Sequence, residues 1–533
     1  MRFPTSTTTC GVAFSFKKNC VKIVLTNRGQ TPAEGTLTML KKNDEITLTI
    51  DAMTTEGSGI GRHEGIAVFV PNTAVGDTVL CHIIKAKKNY AVGKAFKVFT
   101  ASKDRVEPDC PVSAQCGGCC YRHVSYEAEL EYKHRRVADA FERIGHLSVE
   151  VLPVRGSDET LRYRNKAQFP VQLDRNLNPV MGFYASNTHR VVPCENCVLQ
   201  PEPFGDVLTV VREWIIRRGT TVYDEQTHKG LLRHVYIRQG HYSKELMVCL
   251  VVNGYGPEAT AEFNRKPAAQ GRKASPTSVP RVSFLVDALK DTIPGFQTLS
   301  INYNPSKTNV ILGDETEVLY GDGFIEDTLL GCTFRISPKS FYQVNTPQAE
   351  VLYSIAAEKA FGAESAADAA AGDSESADAG PSESAKPVLL DLYCGTGTIG
   401  LTMADRCSRL YGVEIVPEAV EDAKRNAAAN GIENATFLCG DAADAAARLK
   451  ADGVKADIIL VDPPRKGLSE QLIETIADFD PEKVVYISCD PATLARDCAR
   501  FAEKGWYIAD GVQPVDLFPR TAHVENVCLL MKR

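Results

Sequence analysis

Apolar residues follow two periodicities along this chain, and the change from one to the other divides it. Between Glu45 and Val98 they alternate with polar ones or gather in short runs. Ile46, Leu48 and Ile50 share one face, Thr47 and Thr49 the other, and Gly57-Ser58-Gly59-Ile60-Gly61 turns the chain. Further apolar runs at 66–70, 79–84 and 91–98 complete a set of short strands, a spacing that predicts a small β-barrel over residues 41–101. Leu130, Val137, Phe141 and Ile144 fall instead on one side of a helix. Residues 102–335 read as a mixed α+β central unit, strand-rich at 166–171 and 246–252. From Asn345 the pattern becomes regular. Pro347 opens a helix carrying Val351, Leu352, Ile355 and Ala356, and strands are predicted at 388–391, 410–414, 436–438, 458–461, 484–487 and 527–531, mostly with helical stretches between. That alternation predicts an α/β, doubly wound, Rossmann-like sheet for residues 336–533.

Three stretches fit no core. Residues 364–386 are rich in Ala, Ser, Asp and Glu, and are expected to be a disordered acidic insert. A basic, Pro- and Ser-bearing stretch at 265–281 is expected to be a surface loop. Residues 1–40 show no assignable pattern, and disorder is expected for part of them. No apolar run reaches the ~18 residues of a membrane span, and the start of the chain lacks the apolar core of a signal peptide. A cytoplasmic protein with no membrane association is therefore expected. The formal net charge of −7 leaves nucleic-acid binding to local basic surfaces such as Lys85-Ala86-Lys87-Lys88 and His134-Arg135-Arg136. Seventeen cysteines without the spacing of a secreted disulfide framework point to metal binding or catalysis.

Two runs carry chemistry. In Tyr486-Ile487-Ser488-Cys489-Asp490-Pro491, a buried strand ends abruptly and leaves Cys489 at the carboxyl edge of the sheet, where open α/β folds bind ligands. In Leu390-Asp391-Leu392-Tyr393-Cys394-Gly395-Thr396-Gly397-Thr398, a strand, a glycine turn and a helix start form the nucleotide-cofactor end of such a sheet. Glu414, Asp441 and Asp462 follow at the next three strand ends. Each acid alone reads equally well as a helix N-cap. Counted with Asp391, they disfavour a pyrophosphate and suit S-adenosylmethionine, which has a ribose, an adenine and a sulfonium cation but no phosphate. A thiolate facing that cofactor can add to C6 of a pyrimidine and make C5 able to accept a methyl. The C5 proton must then leave, and His523 and Glu525, ahead of the last strand, are the candidate bases.

Phe341-Tyr342-Gln343-Val344-Asn345, Asp391 to Gly397, Asp462-Pro463-Pro464-Arg465, Ser488-Cys489-Asp490-Pro491 and His523-Val524-Glu525 resemble, in order, the motifs of the RNA uracil-5-methyltransferases. The resemblance covers roughly residues 40–533. It implies that Cys489 is the nucleophile and Glu525 the base, and that Gln343, Tyr393, Thr398, Glu414, Asp441 and Asp462 line the cofactor or target-base pocket. It also implies that residues 41–101 are the RNA-binding TRAM barrel of the ribosomal-RNA members, which the transfer-RNA member lacks. Cys110, Cys116 and Cys119 match an iron–sulfur spacing, with Cys197 implied as fourth ligand of a 4Fe–4S cluster; Cys194 and Cys120 are extra thiols nearby. From the residues alone, tetrahedral zinc fits the thiols equally. The expected activity is methylation of uracil C5 in 23S ribosomal RNA, with no protein partner implied. The alternatives are the same reaction on transfer RNA and a non-catalytic RNA-binding assembly factor.

Overall fold

The computed structural model of the protein describes residues 12–16, 19–23, 40–256, 282–362 and 386–533. The acidic insert, except Lys386, and the 265–281 loop lie outside the described residues. So does most of 1–40, apart from the backbone of an antiparallel hairpin, β1 (Val12–Phe16) with β2 (Asn19–Ile23).

Strands β3 (Glu45–Met53), β4 (Gly59–His63), β5 (Ile66–Val70), β6 (Thr78–Ala86) and β7 (Tyr90–Thr100) close a barrel in the order β3-β4-β5-β7-β6. Alternation in β3 sends Ile46, Leu48 and Ile50 inward to meet Val68, Val79, Cys81 and Ile83. So small a barrel needs glycine where walls meet, and a Cβ on Gly93 would stand 2.1 Å from Cys81 Sγ.

The central unit is a seven-stranded sheet. Its strands are β8 (Lys166–Leu173), β9 (Pro179–Tyr184), β10 (Val191–Pro193), β11 (Leu232–Gln239), β12 (Leu246–Val252), β13 (Phe296–Tyr303) and β14 (Glu315–Tyr320), in the order β10-β9-β8-β11-β12-β13-β14. Two helices, Pro203–Arg218 and Val282–Thr292, supply Val207, Val211, Leu285 and Leu289 to its core. The hairpin β15 (Ile325–Leu329) with β16 (Cys332–Ile336) leads into the last unit.

There β17 (Val388–Leu392), β18 (Arg409–Glu414), β19 (Ala435–Cys439), β20 (Ile458–Val461), β21 (Lys483–Ser488), β22 (Trp506–Val515) and β23 (Glu525–Lys532) form a sheet in the order β19-β18-β17-β20-β21-β23-β22. The first five are mutually parallel; β23 runs antiparallel to both β21 and β22. The doubly wound sheet expected from the sequence is present. Strand β22 was not expected, because polar Asp510 and Gln513 interrupt its alternation and Ala509/Val512 carries a register shift. The last strand begins two residues earlier than predicted, which puts Glu525 on the strand.

Residues 126–155 belong spatially to this sheet. Helix α1 (Tyr126–Ala140) and the π-helical turn Phe141–Gly145 pack Val137 and Phe141 into its core, and Val151 and Arg155 bridge to Val512 and Val515 of β22. The buried face of α1 differs from the apolar stripe in the sequence: Glu129 and Lys133 are buried, while Ile144 is exposed.

Candidate active site

The junction of β21 and β23 builds the centre. Ser488 pairs with Asn526 at the end of their antiparallel ladder, and the residues just beyond it, Cys489 and Glu525, lie near enough for the carboxylate to act on the thiol. Asn526 fastens this end by donating from Nδ2 to Ser488 O (3.1 Å) and Val524 O (3.2 Å). The chain then leaves β21 sharply. Ser488 Oγ accepts from Asp490 N, and the Asp490 carboxylate caps the next helix (Pro491–Glu503) at Ala492 N (2.9 Å). Cys489 is half-buried on this turn, Glu525 buried.

Acids crowd the pocket. Burial pushes Glu525 up to about 8, with Asp462 adding to the rise and Arg465 opposing it. Asp391 and Asp462 are each raised to about 7, chiefly by burial. The Cys489 thiol is pushed up to about 11 by burial first and then by Glu525 and Asp462, while Arg465 favours the thiolate. His523 is driven down to about 4 by burial and by Arg465, Arg136, Lys133 and Arg164. It is therefore neutral at pH 7, and its place among cations makes it a poor proton acceptor. Glu525 fits the base position better.

On the other side of β20, the turn after β17 takes the left-handed region at Tyr393 (φ 72°), Gly395 (φ 56°) and Gly397 (φ 84°). Asp391, one residue inside the end of β17, accepts Gly400 N through Oδ2 at 3.0 Å, and its buried Oδ1 has no hydrogen-bond partner. Glu414 at the end of β18 accepts Gly395 N (3.1 Å) and Val416 N (2.9 Å), so this acid, expected to line the pocket, also shapes the glycine turn. Asp441 does cap a helix (Ala442–Ala451), through Ala443 N at 2.9 Å, so the cap reading applies to it as well. Thr398 and Gln343 meet at the hydroxyl of buried Tyr353, which hydrogen-bonds with both side chains. Tyr353 was missed from the sequence; it lies one residue beyond Leu352 in the helix Thr346–Phe361 and reads there as core.

With this geometry in view, likeness to known proteins is informative. A family model described as tRNA (Uracil-5-)-methyltransferase matches residues 379–533, and a TRAM domain model matches residues 40–96. An RNA methyltransferase of Halalkalibacterium halodurans is 41% identical over 492 residues, 92% of this chain and 98% of the relative. One of Listeria monocytogenes is 40% identical over 494 residues, with the same shares covered. The chain belongs to the RNA uracil-5-methyltransferase family. Among solved structures, the Pyrococcus abyssi tRNA (uracil-54, C5)-methyltransferase in complex with S-adenosyl-L-homocysteine shares the fold, with TM-score 0.67 and 24% identity over 91% of this chain and 99% of that one. No helix among the described residues of this family member is long and apolar enough to cross a membrane.

The cysteines of this uracil-5-methyltransferase converge in part. Cys110, Cys116, Cys119, Cys194 and Cys197 lie close enough for their thiolates to act on one another, and Gly118 N donates to Cys116 Sγ at 3.4 Å. Cys197 is lowered, first by the Cys194 thiol donating to it and then by the Leu199 and Gln200 amides and Arg122. Cys120, beside Cys119, is raised to about 12 by burial first and then by Glu129, with Lys133 opposing and Cys119 adding to the rise. Among the described residues, no group of three or more His, Cys, Asp or Glu side chains is gathered at metal-binding geometry. The donor set still suits a thiolate-bound metal centre: soft ligands, backed by amides and by Arg122, whose Nη2 is buried without a partner.

Proposed function

We propose that this protein methylates C5 of a uridine in 23S ribosomal RNA, with S-adenosylmethionine as donor. The observation that supports the chemistry is the half-buried thiol of Cys489 and the buried carboxyl of Glu525, close enough to act on one another just beyond the Ser488–Asn526 pair. Bound S-adenosylmethionine supplies an electrophilic methyl on a sulfonium. Asp391, Tyr393, Thr398, Glu414, Asp441 and Asp462 would hold it, with Gln343 and Tyr353 at the border with the target base. The unpartnered Asp391 Oδ1 and the acids raised by burial suit a cation-bearing ligand.

Cys489 Sγ forms a bond to C6 of the uracil, and the C5–C6 electron pair makes C5 nucleophilic. C5 would take the methyl as its bond to the sulfonium sulfur breaks, that electron pair staying on sulfur and leaving neutral S-adenosylhomocysteine. Glu525 then removes the C5 proton; the electrons of that C–H bond restore the C5–C6 double bond and expel Cys489 as thiolate. Arg465 stabilises the thiolate at the start and the end of this cycle. The target uridine must leave its stack to reach the pocket, and the barrel would hold flanking RNA.

Cys110, Cys116, Cys119 and Cys197 would hold a 4Fe–4S cluster with a structural or RNA-positioning role. The choice of ribosomal RNA rests on family resemblance in the barrel and these thiols; transfer RNA is the second reading, because a solved tRNA (uracil-54, C5)-methyltransferase shares the fold over 91% of this chain.

The test is methyl transfer to unmodified 23S ribosomal RNA and to bulk transfer RNA, read by nucleoside mass spectrometry. 5-Methyluridine in ribosomal RNA alone is expected; label in transfer RNA would reassign the substrate. Cys489→Ala should abolish transfer while keeping RNA affinity, and Glu525→Gln should accumulate a covalent protein–RNA adduct. Transfer at the wild-type rate by Cys489→Ala would eliminate the thiol mechanism.

A further inference from the structure

Glu525 opens β23, and the loop that delivers it, residues 516–524, owes much of its anchoring to a helix nearly four hundred residues earlier in the chain. Lys133 of α1 donates from Nζ to Glu129 Oε1 and Asp516 Oδ1, both at 2.7 Å, and to Phe518 O at 3.4 Å. The lysine is 1% exposed and both carboxylates 0%. Tyr126 OH donates to the second oxygen of Asp516 at 2.8 Å. Glu129 Oε1 also accepts Arg520 N at 2.7 Å, and its Oε2 stands 3.6 Å from the Arg520 guanidinium. Two acids thus face two bases in a neutral quartet, with Lys133, Glu129 and Asp516 buried and Arg520 partly exposed at its edge.

The rest of the loop is held the same way. Tyr163 OH donates to Pro519 O (2.9 Å), Arg136 to Ala522 O, and the Cys120 and Tyr121 amides to Arg520 O (3.0 and 3.3 Å). Arg520 itself sits in the left-handed region (φ 71°), a backbone state that needs its surroundings to hold it.

A buried ion network gains little over an apolar core of equal volume. What it adds here is direction, because each bond fixes one point of the loop that aims the base. We propose that Lys133, with Glu129 and Tyr126, is a positioning residue for C5 deprotonation: it acts through Asp516 and the 516–524 loop to hold Glu525 at the target carbon. This rests on the role of Glu525 proposed above. The network leaves addition of Cys489 and methyl transfer untouched. It governs the last step, in which Glu525 takes the C5 proton, the C–H electrons restore the C5–C6 bond and the Cys489–C6 bond breaks.

The experiment compares full-length wild type, Lys133→Met, Tyr126→Phe and Glu525→Gln on the RNA substrate. It measures kcat, KM for RNA, affinity for S-adenosylhomocysteine, and methylated protein–RNA adduct on denaturing gels. Lys133→Met should lower kcat by about 10- to 100-fold, the scale of an ångström's misplacement. KM and S-adenosylhomocysteine affinity should stay within about twofold of wild type, and methylated adduct should build up as in Glu525→Gln. Tyr126→Phe, which keeps the lysine and removes one bond, should show the same pattern more weakly and serves if Lys133→Met does not fold. Adduct in Glu525→Gln but none in folded Lys133→Met or Tyr126→Phe would overturn the positioning role. So would parallel loss of cofactor affinity and adduct, which marks a merely structural part. No adduct in Glu525→Gln would remove the base assignment itself, and this inference with it.

Discussion

Asp391 and Asp462 show what burial does to a carboxyl. Each is raised to about 7, far above the ordinary value near 3.9, so the free protein binds these protons more tightly than the unfolded chain does. Their contribution to stability is full below about pH 4 and is lost as the pH rises through 7. A sulfonium ligand reverses the preference, because it favours the carboxylates. S-Adenosylmethionine should therefore bind about 10- to 100-fold more tightly at pH 8 than at pH 6, with proton release, one pH unit of protonation costing about tenfold per coupled acid. Calorimetry in buffers of different ionisation enthalpy measures both, and Asp462→Asn should flatten the dependence. A flat profile in the native protein would separate these acids from the cofactor. Asp441 teaches the opposite lesson, since its carboxylate caps a helix, and sequence cannot tell a cap from a ligand that also caps.

At the scale of elements, the site depends on how β23 meets β21. Sequence predicted a strand from 527, but pairing with Val515 of β22 extends it to Glu525, and that extension fixes a loop residue close to Cys489. Asn526 secures the extension through two carbonyls while buried. Asn526→Leu removes both bonds and leaves Ser488 O unmatched, which should cost about 1–3 kcal/mol of stability. It should lower methyl transfer more than a denaturation midpoint alone would suggest. Unchanged transfer in a destabilised variant would mean the register is held elsewhere. The α1 helix makes the same point from the other side: its sequence stripe named Leu130, Val137, Phe141 and Ile144, yet the structure buries Glu129 and Lys133. Periodicity records hydrophobicity, and a neutral quartet is invisible to it because its partners, Asp516 and Arg520, lie at the far end of the chain.

Across the whole molecule, the cysteine segment lies between the barrel and the catalytic sheet. Gly57 of the barrel turns against Cys120, and Cys120 N reaches Arg520 O. The thiols divide by environment. Cys197 is lowered by the Cys194 thiol and the Leu199 and Gln200 amides, whereas Cys120 is raised by burial and by Glu129 and Cys119, with Lys133 opposing. If Cys197 is a cluster ligand and Cys194 and Cys120 are not, Cys197→Ser should lose most bound iron and visible absorbance after anaerobic purification. Cys194→Ser and Cys120→Ser should retain them. Zinc in place of iron on elemental analysis would change the metal while keeping the ligands.

By itself, the sequence determined what local physics writes. Alternation in β3, the alternating β/α pattern after Asn345, the glycine turn at Gly395 and Gly397, and the thiol leaving a buried strand at Cys489 all follow from near neighbours in the chain. Only the tertiary structure decided which distant groups meet. It set Cys489 beside Glu525, joined Thr398 and Gln343 at Tyr353, gave Asp391 a buried oxygen with no partner, and brought Lys133 to Asp516. Those facts depend on strand register and on desolvation, and both are properties of the packed sheet.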